Sequence, residues 1–238
     1  MKKASILKVL RKAYFSESPD EQSVLKIFPF LLNNASLFVD IGASLGQFTK
    51  SANECLKNAE IVSIEADTVR FEELSLNCER WEATTGNNIE PIHAAVTNKS
   101  GPVQFYITNS PTSGGLFQHS TKSEFHNKIK WSTVNVEGFA LDEMFIHQAP
   151  DFIKMDIEGS EILALQGAEK MLEEGETTWL IELHGSSPNG QNPITVVPEL
   201  MKRHGYSRHV LYGKNLFTKD KAKYEKFLPK NDKSVAWL

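Results

Sequence analysis

Three short runs in this 238-residue sequence combine glycine, carboxylate and imidazole in ways that support chemistry. The first is Asp40-Ile41-Gly42-Ala43-Ser44-Leu45-Gly46-Gln47-Phe48. Gly42 and Gly46 suit a tight turn that lets a ligand approach the backbone, and a helix opening here offers N–H groups to a carboxylate or phosphate. An ordinary strand-to-helix turn would use glycine in the same way. The second run is Ile64-Glu65-Ala66-Asp67, with Glu65 25 residues after Asp40. A carboxylate at that strand end accepts hydrogen bonds from the two hydroxyls of a ribose. The dinucleotide fingerprint is G-x-G-x-x-G, whereas this turn reads D-x-G-x-x-x-G with Ser44 near its middle. Asp40 would repel a pyrophosphate but pair with the amino group of a methionine moiety, so S-adenosylmethionine (SAM) is favoured over NAD. The cofactor set expected on these grounds is Asp40, Gly42, Ala43, Ser44, Gly46, Gln47, Phe48, Glu65, Ala66, Ala94 and Asp156.

The third run is Ile153-Lys154-Met155-Asp156-Ile157-Glu158-Gly159-Ser160-Glu161, followed downstream by Glu182-Leu183-His184. Both runs end predicted strands, and ligands of open α/β folds bind at the carboxyl edge of the sheet. Side chains alternate along a strand, so Glu182 and His184 share one side. Lys154, Asp156, Glu182 and His184 form the candidate catalytic set. Asp156, Glu182 and His184 would act either as general base and orienting groups or as ligands of a divalent cation such as Mg²⁺. Each residue alone fits a structural salt bridge or cap equally well.

The elements that must position these residues follow from periodicity. Short apolar runs at 37–41, 60–65, 89–96, 151–156 and 178–183 read as strands, and they lack strict alternation, as buried parallel strands do. Helical segments lie between them, including 159–173, where Ile162, Leu165, Ala168 and Leu172 recur every three or four residues. Residues 101–136 break the alternation. There Val103, Phe105 and Ile107, then a polar stretch from Asn109 to Ser123, then Val134 and Val136 read as an inserted strand pair with a long loop. This insertion and the loop from Gly185 to Asn192 are expected to frame the acceptor pocket, and Phe117, His119 and Trp131 are aromatic candidates there, each fitting plain packing as well. Asn192-Pro193 opens a helix ending near Gly205, and a hairpin around Gly213-Lys214-Asn215 follows. The expected fold is therefore α/β: a doubly wound, mostly parallel, seven-stranded sheet of class I (Rossmann-like) type, with a terminal antiparallel hairpin. An N-terminal helical appendage (1–36) precedes this domain (37–238).

Within the appendage, residues 2–14 form a basic amphipathic helix, read as a lid or packing element rather than as a peripheral membrane contact. Ser18, Pro19 and Glu21 signal the start of a second helix. Lys8, Arg11 and Lys12 interrupt the apolar run that a signal peptide would need, and no apolar stretch reaches about 18 residues. The net charge of −4 argues against a general nucleic-acid binder. Cys55 and Cys78 read as free thiols of a cytoplasmic protein, and the seven histidines show no zinc-site spacing. Oligomeric state is not encoded in any of these features.

These residues resemble the FkbM-like SAM-dependent methyltransferases. The resemblance rests on VDIGASLGQFT (39–49), SIEAD (63–67), Ala94-Ala95, Leu141-Asp142-Glu143, IKMDIEGSE (153–161), Gln166-Gly167-Ala168 and IELHG (181–185). Ser44 stands where relatives commonly have Asn. The resemblance implies O-methylation, often of a sugar hydroxyl in a glycan or natural product. The competing readings are a nucleotide- or SAM-binding protein without catalysis and an NAD-dependent oxidoreductase. Glu65→Ala is expected to weaken SAM binding by about 1–3 kcal/mol, the cost of stranding the ribose hydroxyls. Calorimetric titration of the folded variant checks this, and unchanged affinity would remove Glu65 from the site.

Overall fold

The computed structural model describes residues 19–108, 114–116, 131–185, 190–225 and 235–237. The expected helix at 2–14, the Ser18 cap, Phe117 and His119 lie outside the described residues. Eleven strands and eight helices are described, beginning with α1 (Pro19–Leu32), β1 (Leu37–Ile41), α2 (Gln47–Cys55), β2 (Glu60–Glu65), α3 (Thr68–Glu82) and β3 (Asn88–His93). The insertion follows as β4 (Ala95–Val96), β5 (Gly101–Thr108) and β6 (Trp131–Phe139). The chain then returns through α4 (Leu141–Met144), β7 (Phe152–Met155), α5 (Glu161–Gln166), α6 (Glu169–Glu174) and β8 (Thr178–Glu182). It ends with α7 (Pro193–Arg203), β9 (Ser207–Leu211), β10 (Lys214–Thr218), α8 (Lys221–Glu225) and β11 (Val235–Trp237).

The main sheet has the order β11-β9-β10-β8-β7-β1-β2-β3. Five central strands, β3-β2-β1-β7-β8, run parallel, and β10 joins antiparallel to both β8 and β9. This is the expected class I methyltransferase architecture with one short strand, β11, added at the edge. The sequence-predicted strands fall within one residue of those observed, except that the run 89–96 divides. Ala94 N–H closes the β3 ladder on Glu65 O, and Ala95–Val96 then pair with Gly138–Phe139 in a second sheet of order β4-β6-β5. The predicted helix 159–173 also divides, at Gly167-Ala168. A Cβ on Gly167 would lie 2.3 Å from Thr97 O, so the break lets this turn press against the insertion.

Alternation along the strands puts two apolar faces on the main sheet. Phe38, Ile61, Phe152, Leu180 and Leu216 pack with Val24, Phe28 and Leu31 of α1 and with Phe48 and Leu74 of α2 and α3. Phe28 meets Phe38, Phe48 and Phe152 edge to face at centroid distances of 5.5, 4.9 and 5.8 Å. The opposite face sends Val39, Ile64, Ile153, Met155, Trp179 and Ile181 against α5, α6 and α7. Both layers fix the direction in which the carboxyl ends of the strands open.

The turn after β1 locks against β7. Gly42 N–H and Ala43 N–H both donate to Ile64 O, while Asp156 N–H donates to Ile41 O. Gly42 has φ of +71°, and a Cβ there would lie 1.9 Å from Asp156 O. Glycine is thus required by the neighbouring backbone. Gly42→Ala is expected to destabilise the fold by about 2–4 kcal/mol, combining the left-handed backbone with overpacking. Urea unfolding should show a lower midpoint at unchanged m-value.

Candidate functional site

A cavity of about 350 Å³ opens along the carboxyl edge of β1, β2, β7 and β8. Its walls bring together Gly42, Ala43, Ser44, Gln47, Phe48, Glu65, Ala66, Ala94, Lys154, Asp156, Glu182 and His184 of the sequence-predicted set. Two predicted residues, Asp40 and Gly46, do not line it, and both require correction.

Asp40 is fully buried beneath the cavity floor. Its Oδ2 accepts hydrogen bonds from Thr49 N–H at 3.1 Å and Thr49 Oγ1 at 2.8 Å, and its Oδ1 lies 3.2 Å from Lys154 Nζ. Because the Thr49 hydroxyl proton goes to Asp40, Ser63 Oγ donates to Thr49 Oγ1 at 2.8 Å. Asp40 therefore caps α2 from inside and pairs with Lys154, and its burial excludes the direct ligand contact expected from sequence. Gly46 has φ of +89°, and a Cβ there would strike Leu74 and Trp81 at 2.8 Å. Close packing of α3, rather than of a ligand, demands this glycine. Gly42 lines the cavity and is also required by its tight neighbour, Asp156 O.

At one end of the cavity stands Glu65, 6% exposed. Its Oε2 accepts from Ser44 N–H and its Oε1 from Asp67 N–H, both at 2.8 Å, so the carboxylate is fixed in orientation with lone pairs left over. Burial pushes this carboxyl up, against the pull of Arg70 and the two backbone donors. Ser44 adopts φ of +52° to deliver its N–H. Asp67 turns away and caps α3 through Val69 and Arg70 N–H.

The described part of the insertion reaches the cavity at this end. Phe105, Gly114 and Leu116 line the wall, and Phe105 and Leu116 cluster with Ala66 and Ala95. Trp131, an aromatic candidate for the acceptor pocket, packs edge-on against Tyr106 at 6.4 Å and does not line the cavity. No residue-level signal in the sequence points to this end, because the second sheet's pairing with β4 sets its position.

The other end is charged. Ligand atoms of Asp156, Glu182 and His184 lie within 4.8 Å of one another, as the alternation argument required. His184 Nδ1 bonds Glu161 Oε1 at 2.7 Å, and its Nε2 lies 3.6 Å from Asp156 Oδ1 and 3.5 Å from Glu158 Oε2. Burial alone would lower the pKa of this ring. The Glu161 hydrogen bond and the charges of Glu158 and Asp156 outweigh it and push it up to about 9. Burial pushes Glu158 up to about 7, opposed by His184. Asp156 is held low despite its burial, because Lys154, Lys214 and His184 favour its anion.

Sequence reasoning missed Lys214, Glu161 and Glu158 as members of this cluster. Glu161 is fully buried and also accepts from Gly159 N–H at 3.1 Å. Lys214 contacts Glu182 directly and lies 3.8 Å from Asp156 Oδ2. Its register partner across the antiparallel pair is Glu182, a signal available once β10 is placed beside β8. Asp156, Glu182 and His184 form a group whose ligand atoms are close enough to hold a metal ion, and Lys214 already lies on two of the three.

With this geometry described, similarity to known proteins bears on its reading. The model of the methyltransferase FkbM domain matches residues 40–208. A comparison with curated proteins finds no match. The solved methyltransferase FkbM from Methylobacillus flagellatus KT is 20% identical with a TM-score of 0.52, covering 77% of this chain and 43% of its own. This chain thus spans less than half the length of that relative. An O-methyltransferase from Bacillus cereus, solved in complex with SAH, is 14% identical with a TM-score of 0.50, covering 90% and 88% of the two chains. Both likenesses concern the fold.

A pH test follows from the His184 cluster. The folded-state pKa lies above the ordinary 6.5, so its stabilisation is complete below about pH 6.5 and is lost as pH rises through about 9. NMR titration of the His184 ring should show a midpoint well above 6.5, and Glu161→Gln should bring it down. A wild-type midpoint at or below 6.5 would contradict the ion-paired arrangement.

Proposed function

The chain belongs to the FkbM methyltransferase family, and from that premise we propose that it transfers a methyl group from SAM to a hydroxyl oxygen of a sugar, glycan or other small-molecule acceptor. One observation carries this reading. A single cavity has a fixed, buried carboxylate at one end and three convergent polar side chains, Asp156, Glu182 and His184, at the other.

The cavity fits the cofactor. Glu65 faces it with free lone pairs for ribose hydroxyls, Ala66, Ala94, Ala95, Phe105 and Leu116 supply an apolar wall, and Phe48 lies near the charged end. SAM brings an electrophilic methyl carried on a sulfonium. The chain's own residues align the acceptor and remove its proton.

Of the two bases expected from sequence, His184 is the less suited, because the Glu161 hydrogen bond and the charges of Glu158 and Asp156 push its pKa up to about 9 and favour the protonated ring. Asp156 takes that role: it is ionised throughout the neutral range and faces the cavity. Glu182 orients it from the adjacent strand through their shared contact with Lys214. The His184 imidazolium sits between Asp156, Glu158 and Glu161 and keeps their carboxylates from repelling one another. Lys154 braces the floor by donating to Gly42 O at 3.1 Å while paired with Asp40. None of these residues needs a metal to act in this way.

The test combines calorimetry with methyl transfer. Wild-type protein should bind SAM, and mass spectrometry should find 14 Da added (~14, one CH₂) to a member of a panel of hydroxylated sugars, glycans and lipids. Asp156→Asn should lower kcat by about 10²–10⁴ and leave SAM affinity within a few fold, the pattern of a lost general base. Normal turnover in that variant would remove Asp156 as the proton acceptor. SAM binding without transfer to any acceptor would favour a binding protein that kept the fold.

A further inference from the structure

Lys214 stands apart from the sequence-predicted machinery. It opens β10 directly opposite Glu182, and its side chain is 5% exposed. Its Nζ lies over the Phe48 ring, 5.7 Å from the centroid, and the ammonium rests on Glu182 and near Asp156 Oδ2. Burying an ammonium is costly unless anions surround it, and two carboxylates forced together cannot both ionise without a cation between them. Each problem solves the other.

The neighbouring cations have their closest partners elsewhere. Lys154 serves Asp40 and Gly42 O, and His184 serves Glu161 with Glu158 beside it. Lys154 and His184 also favour the Asp156 anion, but among the described ion pairs Lys214 is the cation that reaches both Asp156 and Glu182.

We propose that the Lys214 ammonium is the resident cation of the site, standing where a divalent ion would otherwise bridge Asp156 and Glu182. It is a positioning residue, which contacts both carboxylates, favours the Asp156 anion and aims Asp156 at the acceptor. That role rests on the methyltransferase reading, whereas the exclusion of a metal does not.

Two measurements test it. In the first, wild-type protein is titrated with Mn²⁺ and followed by electron paramagnetic resonance. The expected result is no stoichiometric binding, and EDTA should leave SAM affinity unchanged. Stoichiometric Mn²⁺ binding that is lost in Glu182→Gln would overturn the proposal. This arm needs neither turnover nor a Lys214 variant, so it stands even if no acceptor is ever methylated. In the second, Lys214→Met and Lys214→Arg are compared by thermal melting, SAM calorimetry and kinetics. Lys214→Met should lose about 10²-fold in kcat, as when a fixed electrostatic partner is removed, with SAM affinity within about threefold. Lys214→Arg should recover part of that loss, because a cation is restored. Wild-type kcat in folded Lys214→Met would sink the positioning role, as would a loss that Arg does not relieve.

Discussion

Lys154 carries its ammonium beneath the floor of the cavity, 3.2 Å from Asp40, and donates to Gly42 O at 3.1 Å. Asp40 and Lys154 are register partners on adjacent parallel strands, so the ion pair follows directly from the alignment of β1 with β7. Through Asp40 it fixes Thr49 and the first turn of α2, and through Gly42 it fixes the glycine turn. The turn in turn holds Ser44 N–H on Glu65. A buried pair of this kind gives little net stability, because desolvation consumes most of the Coulomb attraction. Breaking it is another matter, since either partner alone would be an uncompensated buried charge. Its value is geometric: one interaction ties both ends of the cavity to the same two strands.

The same logic runs across the whole face of the sheet. On one side of the pleat β1 presents Phe38 then Asp40, β7 presents Phe152 then Lys154, and β8 presents Leu180 then Glu182. β2 adds Ile61, Ser63 and Glu65, and antiparallel β10 adds Leu216 and Lys214. Every strand is apolar where α1 covers it and polar where the cavity opens. The apolar half sits in one cluster around Phe28, and the polar half forms pairs by register: Asp40 with Lys154, Glu182 with Lys214. Core and site are thus two portions of one face, and the boundary falls within a single two-residue step of each strand.

This arrangement explains what the sequence disclosed and what it withheld. Period-two alternation correctly placed Glu182 beside His184, and strand-end positions correctly brought Glu65 and Asp156 to one edge. Both inferences need only the local chain. The direction of Asp40 needs its neighbour, because a carboxylate one residue before a glycine turn faces the ligand or the floor depending on which cation lies across the ladder. Lys214 was harder still, since β10 is reached only after a helix and another strand and yet inserts next to β8. Gly46 reads as a ligand-facing glycine until the packing of Leu74 and Trp81 is known. The insertion was recognised as two strands, but its reach toward Ala66 and Ala95 depends on the two-residue pairing of β4 with β6, too short to leave a periodic signal.

Charge balance gives these contacts a common consequence. At the charged end of the cavity Asp40, Asp156, Glu158, Glu161 and Glu182 face Lys154, Lys214 and His184, whose pKa is pushed up to about 9. Five carboxylates against three cations leave an excess of negative charge when Glu158 is ionised. In a partly dry cleft that excess acts at short range with little screening. Under the proposed function, such a field would attract a sulfonium before transfer and hold the neutral thioether product less well afterwards. It also disfavours a phosphorylated or carboxylated acceptor, whose charge would meet Asp156 and Glu182 directly. Under the proposed function, a neutral hydroxyl is the acceptor that this field admits at least cost.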